Sequence, residues 1–207
     1  MQRIDKLPSP FKRYQKMLGA LSFAVFEDAG GTEEEILSAM SAVFADDRKF
    51  DVERLRTLGC KRLRERPFFG EWYDPETGML LKLSTYTTAD GTELRNPKLK
   101  KLDRVKIMSG GAPVPEVGAG GEFAFAFSHP PYGLQGRPSE IQSVFEEIRD
   151  FILPPAHTSE ICDWTNPKLT EVSNYFEAGM EWWGVFLFSI HIPTQQKLTI
   201  IAGSTSD

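Results

Sequence analysis

Apolar and polar positions change period several times along this chain. The most apolar stretch is residues 181–204, EWWGVFLFSIHIPTQQKLTIIAGS. From 182 to 192 its even positions are Trp182, Phe186, Phe188, Ile190 and Ile192, interrupted by Gly184. Its odd positions run Trp183, Val185, Leu187, Ser189, His191. Alternate side chains of a strand point to opposite faces. The pattern therefore predicts a strand with one wholly apolar face and one that turns polar towards its end. Pro193 has no N–H to continue a ladder, and a second strand is expected over 198–202 after a polar turn. A run apolar on both faces is predicted to be central, with material packed on each side.

Upstream the period is helical. Ser9-Pro10 opens a helix, and Phe11, Tyr14, Met17, Leu18, Leu21 and Val25 are spaced as one stripe. Thr32 to Glu35 reads as a capping box for a second helix carrying Ile36, Leu37, Met40, Val43 and Phe44. Asp51 is expected to cap a third, running through Leu55 and Leu58 to Leu63 before Pro67. Beyond Pro67 the period becomes that of strands. Residues 69–73 and 79–87 are predicted strands around an Asp74–Gly78 turn, and Asp90-Gly91 marks a hairpin. Residues 123–127, FAFAF, alternate strictly and predict another strand. From Pro138, the stripe Ile141, Val144, Phe145, Ile148, Phe151, Ile152 predicts a helix ending at Pro154. A short strand near 159–164 and a short helix over 169–176 complete the reading.

The fold class expected is α+β: an N-terminal helical segment, then a mainly antiparallel sheet with one covering helix (138–153). Residues 1–66 would be the helical part and 67–207 the sheet part, together one compact unit. Residues 109–121, SGGAPVPEVGAGG, break every period and are expected to be a linker or a mobile loop near a site.

Charge modifies this picture. Residues 1–112 carry 20 Lys and Arg against 17 Asp and Glu, whereas residues 113–207 carry 4 against 12. The acidic, aromatic C-terminal part suits a basic partner better than phosphate backbones. Two basic runs, 54–66 and 98–106, offer nucleic-acid binding as a minor alternative. No run of apolar residues is long enough to span a bilayer, and the charged first residues do not form a signal peptide. Two cysteines and no disulfide framework point to a cytosolic protein.

Candidate chemistry is sparse. His129, His157, His191, Cys60 and Cys162 lack metal-ligand spacing, so no metal or cofactor is expected. Carboxylates stand beside aromatics at Glu71-Trp72-Tyr73, Asp163-Trp164, Tyr175-Phe176-Glu177 and Glu181-Trp182-Trp183. Acids can act as proton donors and acceptors, and rings can stack on a ligand. Asp163, Glu177, Glu181, Cys162 and His191 are the catalytic candidates on that reading. The stiff loop 128–136 gives the binding candidates His129, Tyr132 and Arg137, with Trp183 and Glu181. The function expected is a cytosolic protein-binding module of inhibitor, immunity or adaptor type. The alternative is a hydrolase or transferase with a carboxylate/aromatic cleft.

Overall fold

The structure is a computed structural model describing residues 1–44, 49–111, 113–116 and 122–205. In chain order its elements are β1 (Gln2–Arg3), α1 (Ser9–Lys16), β2 (Ser22–Glu27), α2 (Glu33–Val43), α3 (Val52–Leu58), β3 (Lys61–Leu63) and α4 (Glu65–Phe69). Then come β4 (Tyr73–Asp74), β5 (Met79–Leu80), β6 (Thr85–Thr88), β7 (Glu93–Arg95), β8 (Ile107–Ser109), α5 (Phe123–Ser128) and α6 (Pro138–Ile152). The chain ends with β9 (Glu160–Asp163), β10 (Val185–Ile192) and β11 (Lys197–Ser204). The fold is α+β with antiparallel sheets.

The expected central strand is β10, in which every residue is buried. The main sheet runs β1-β2-β11-β10-β9-β3, and each neighbouring pair is antiparallel. On one face Phe186, Phe188 and Ile190 meet a core supplied by α1, α5 and α6. On the other, Val185 and Leu187 join Leu198, Ile200 and Ala202 under α2 and α3. The sheet is thus covered on both faces, which explains why β10 is apolar on both. The polar end of its odd face is also buried, and it is satisfied locally except at His191 Nδ1, which has no hydrogen-bond partner among the described residues. Ser189 Oγ accepts the Trp164 indole N–H at 2.9 Å, and His191 Nε2 lies 3.0 Å from the Ala29 carbonyl.

Several expected elements differ. The first helix does not reach Val25. It stops at Lys16, Leu18 takes a left-handed φ of 63°, and the Gly19 N–H returns to the Tyr14 carbonyl. Leu21 of that stripe precedes β2 and Val25 lies within it, where Ala24 and Phe26 pair with Ile200 and Leu198 in strand geometry. A helical stripe and a short strand share enough positions to be confused across a break. Ser9 is the first helical residue rather than the cap, which is Pro8. The third helix ends at Gly59, φ 71°, and the chain then extends into β3 before α4 takes Pro67 in its first turn. The strand expected over 69–73 is reduced to Tyr73–Asp74, and that over 79–87 is split into β5 and β6 at Ser84, φ 113°.

The largest reversal is FAFAF, which is the helix α5. All five residues are buried. In a helix Phe123 and Phe127 fall one turn apart. Phe123 stacks on Phe68 at 4.8 Å and Phe127 on Tyr14 at 4.3 Å. With apolar neighbours on every side, tertiary packing overrides the alternating pattern. By contrast α2 and α6 are as expected. Thr32 and Glu35 make both bonds of the capping box. α6 buries Ile141, Val144, Phe145, Ile148 and Ile152. It also buries Gln142, whose carboxamide accepts the Leu80 N–H at 2.9 Å and donates to the Gly78 carbonyl at 3.1 Å. That residue fastens the β4–β5 hairpin to α6. Within the expected loop 109–121, residues 112 and 117–121 lie outside the described residues.

Candidate functional site

Trp182 and Trp183 locate the site. Alternation through the segment would put Trp182 with the core face and Trp183 on the other. The structure reverses them. Gly184 has a φ of 122°, so the strand register does not pass through it. Trp183 turns into the first core, 1% exposed, and Trp182 turns out, 37% exposed. The Trp183 indole N–H donates to the His129 carbonyl at 2.6 Å. This bond ties the start of β10 to the loop after α5.

That loop is held at several points. The Gly133 N–H closes a turn on the Pro130 carbonyl at 2.8 Å, and the Gln135 N–H reaches the Met17 carbonyl at 2.8 Å. The two prolines fix φ at 130 and 131. Tyr132 is left at the tip, 73% exposed. Beside the loop lies a cleft of about 390 Å³, with walls that include Trp182, Phe125, His129, Pro130, Val114 and Lys82. Its lining is mostly apolar, and Lys82 brings the charge. The Lys82 ammonium sits 5.1 Å from the Tyr86 ring centroid. Among the described residues no carboxylate forms an ion pair with it.

His129 has a defined protonation. The Ser128 hydroxyl lies 2.6 Å from the Ala124 carbonyl and spends its only proton there. Its 2.8 Å contact with His129 Nδ1 must then take the proton from the ring. Nδ1 is protonated and Nε2 carries the lone pair. Burial, aided by the Lys82 charge, pushes the ring down to about 4, so it is neutral at pH 7. Phe125 stacks on it at 5.5 Å. The cleft thus offers a neutral acceptor, a cation and aromatic walls.

The other candidates fall elsewhere. Glu181 is exposed next to Trp182, at the edge of this surface, and Glu177 is exposed on the preceding turn. Arg137 points its guanidinium at Glu140, 2.7 Å away, in the first turn of α6. Asp163, Cys162 and His191 lie in the main sheet. Asp163 is buried and accepts the Thr165 N–H at 2.8 Å. Cys162 is opposite Ser189, and His191 is opposite Glu160, its Nδ1 3.7 Å from that carboxylate. The basic runs are partly neutralised: Arg54 donates to Glu171 at 2.7 Å, Arg56 lies 3.6 Å from Glu33, and Lys98 lies 3.0 Å from Asp74. Among the described residues no three of His, Cys, Asp and Glu gather as metal ligands.

A second cleft, of about 730 Å³, has Arg66, Glu71, Tyr73, Asn96 and Glu122 in its walls. Glu122 adopts a left-handed φ of 65°, uncommon for a non-glycine residue. Burial raises its carboxyl above the usual range, although it accepts the Glu71 N–H at 3.2 Å. Neither Glu122 nor Lys82 is marked by a motif. Only Gly184, breaking the alternation, signals in the sequence that Trp182 leaves the core. A scan against protein-family models and searches of curated proteins and of solved structures return no match to this chain.

Proposed function

We propose that this chain is a protein-binding module that takes an apolar side chain of its partner into the Trp182–His129–Lys82 cleft. The observation that supports this most is the exposed pair Tyr132 and Trp182 on a backbone braced by Trp183 and two prolines. Exposed aromatics on a preorganised frame bind with little loss of side-chain entropy. Lys82 favours an acidic residue beside the anchoring side chain, and the neutral His129 Nε2 favours a donor. The acidic C-terminal face read from the sequence favours a basic partner instead, and the charge inside the cleft argues for the opposite choice. A cytosolic location belongs to the same proposal. Among the described residues no helix is long and apolar enough to cross a membrane.

A peptide array tests the reading. Peptides with one aromatic or large aliphatic residue flanked by Asp or Glu should bind, and both Trp182→Ala and Lys82→Ala should weaken them about tenfold or more. Preference for Lys- or Arg-flanked peptides, insensitive to Lys82, would return the site to the acidic surface around Glu181. No binding by any class would overturn the reading.

Glu122 favours one second reading, an enzyme with a carboxylate/aromatic cleft. A carboxylic acid with a raised pKa beside Tyr73 and Arg66 suits a general acid. Turnover of some member of a broad hydrolase substrate panel, abolished by Glu122→Gln and untouched by Trp182→Ala, would establish it. Equal turnover in Glu122→Gln would dismiss it.

A further inference from the structure

Cys60 and Cys162 are 102 positions apart in the sequence, and the sheet brings them together. β3 pairs with β9 so that Lys61 faces Asp163 and Arg62 faces Cys162. Cys60 immediately precedes this pairing and shares its strand face with Arg62, two residues on. Neither cysteine is in a disulfide, and each thiol acts on the ionisation of the other. Cys60 is exposed and Cys162 is partly exposed, so reagents in solution can reach the pair. The Arg62 charge acts on both sulfurs.

We propose that Cys60 and Cys162 form a redox-active dithiol that closes to an intramolecular disulfide on reaction with a low-molecular-weight disulfide. A hydrogen bond offered by the Cys60 thiol stabilises negative charge on Cys162, which is drawn down to about 7, with Arg62 assisting and burial, Glu160 and Asp163 opposing. The same bond pushes Cys60 up. Cys162 is therefore the attacking thiolate. Its sulfur forms a bond to one sulfur of the small disulfide, that S–S bond breaks, and the departing thiolate takes the proton of Cys60. Cys60, now a thiolate, attacks Cys162 Sγ and expels the second small thiolate. Two protein thiols are oxidised by two electrons, and one small disulfide is reduced to two thiol equivalents. The product fastens the connection after α3 to β9.

Reduced protein mixed with glutathione disulfide tests this. The wild type should lose both titratable thiols, fall in mass by two hydrogen atoms and retain no glutathionyl group. Cys60→Ser should stop as a mixed disulfide on Cys162. Cys60→Ala, which has no donor to offer Cys162, should slow alkylation of Cys162 by iodoacetamide at pH 7 about tenfold, as the thiolate fraction falls towards that of an ordinary thiol. Because Cys60 is exposed, both variants are expected to keep their fold, and circular dichroism checks it. Phenylarsine oxide, which needs two sulfurs, should bind the wild type and neither variant. A wild type that retains glutathionyl adducts would overturn the proposal. So would two persistent thiols where a small dithiol control is fully oxidised, or an unchanged alkylation rate in Cys60→Ala.

Discussion

His129 is held neutral chiefly by burial, with Phe125 covering the ring, and secondly by the Lys82 charge, which opposes a second proton. Ser128 sets which ring nitrogen carries the single proton. The folded pKa, about 4, lies below the ordinary value of about 6.5. Between these values the unfolded chain binds the proton and the folded chain does not. His129 therefore contributes its full stabilisation above about pH 6.5 and loses it as pH falls towards about 4. The whole span corresponds to roughly 3 kcal/mol. Chemical denaturation of the wild type and His129→Gln across this range should show the wild-type slope flattened in the variant. Parallel pH profiles would mean that the ring is solvated in the folded protein. Little of this was legible in the sequence. The loop stood out because Pro130-Pro131 and Tyr132 interrupt an apolar pattern, yet Lys82 comes from a distant segment whose approach depends on the tertiary fold.

Elements were legible where one local rule acted alone. The capping box at Thr32 and the stripe of α6 satisfy helix chemistry with no competing signal. β10 and β11 were legible because their length and apolar content leave little alternative. Phe188 is fully buried in β10, with an edge-on contact to Phe68 at 5.2 Å. Phe188→Ala should cost about 3–5 kcal/mol in denaturant unfolding, and a loss below about 1 kcal/mol would remove the residue from the core. Legibility failed where two rules competed. FAFAF has strand alternation but packs as a helix, because Phe68, Tyr14 and Phe145 surround it. The Trp pair was inverted because an alternation count runs through Gly184 as if its φ were extended. At that position a Cβ would lie 2.9 Å from the Phe186 ring, and φ is 122°. Gly184→Ala should destabilise by about 1–3 kcal/mol and raise the accessibility of Trp183 to a soluble quencher. Unchanged stability and quenching would show that the reversal of the tryptophans does not depend on Gly184.

Across the molecule, one antiparallel sheet carries a helical layer on each face, and the candidate chemistry separates by location. The dithiol sits where β3 meets β9, towards the end of the strand order. The cleft proposed to take a partner's side chain sits at the entry to β10, where a glycine ends the strand pattern and the loop after α5 is bonded to Trp183. Cations that would contact nucleic acid are instead partly engaged with Glu33, Asp74 and Glu171. The central claim is that Trp182, Tyr132 and Lys82 act as one surface. The most direct measurement is an NMR titration of the whole chain with the tightest acid-flanked aromatic peptide from the array. The Trp182 indole and the amides of residues 128–133 should shift together along one saturation curve, and in Lys82→Ala that curve should move to about tenfold or higher peptide concentration. Shifts confined to the cleft around Glu122, or to the turn bearing Glu177 and Glu181, would contradict the account.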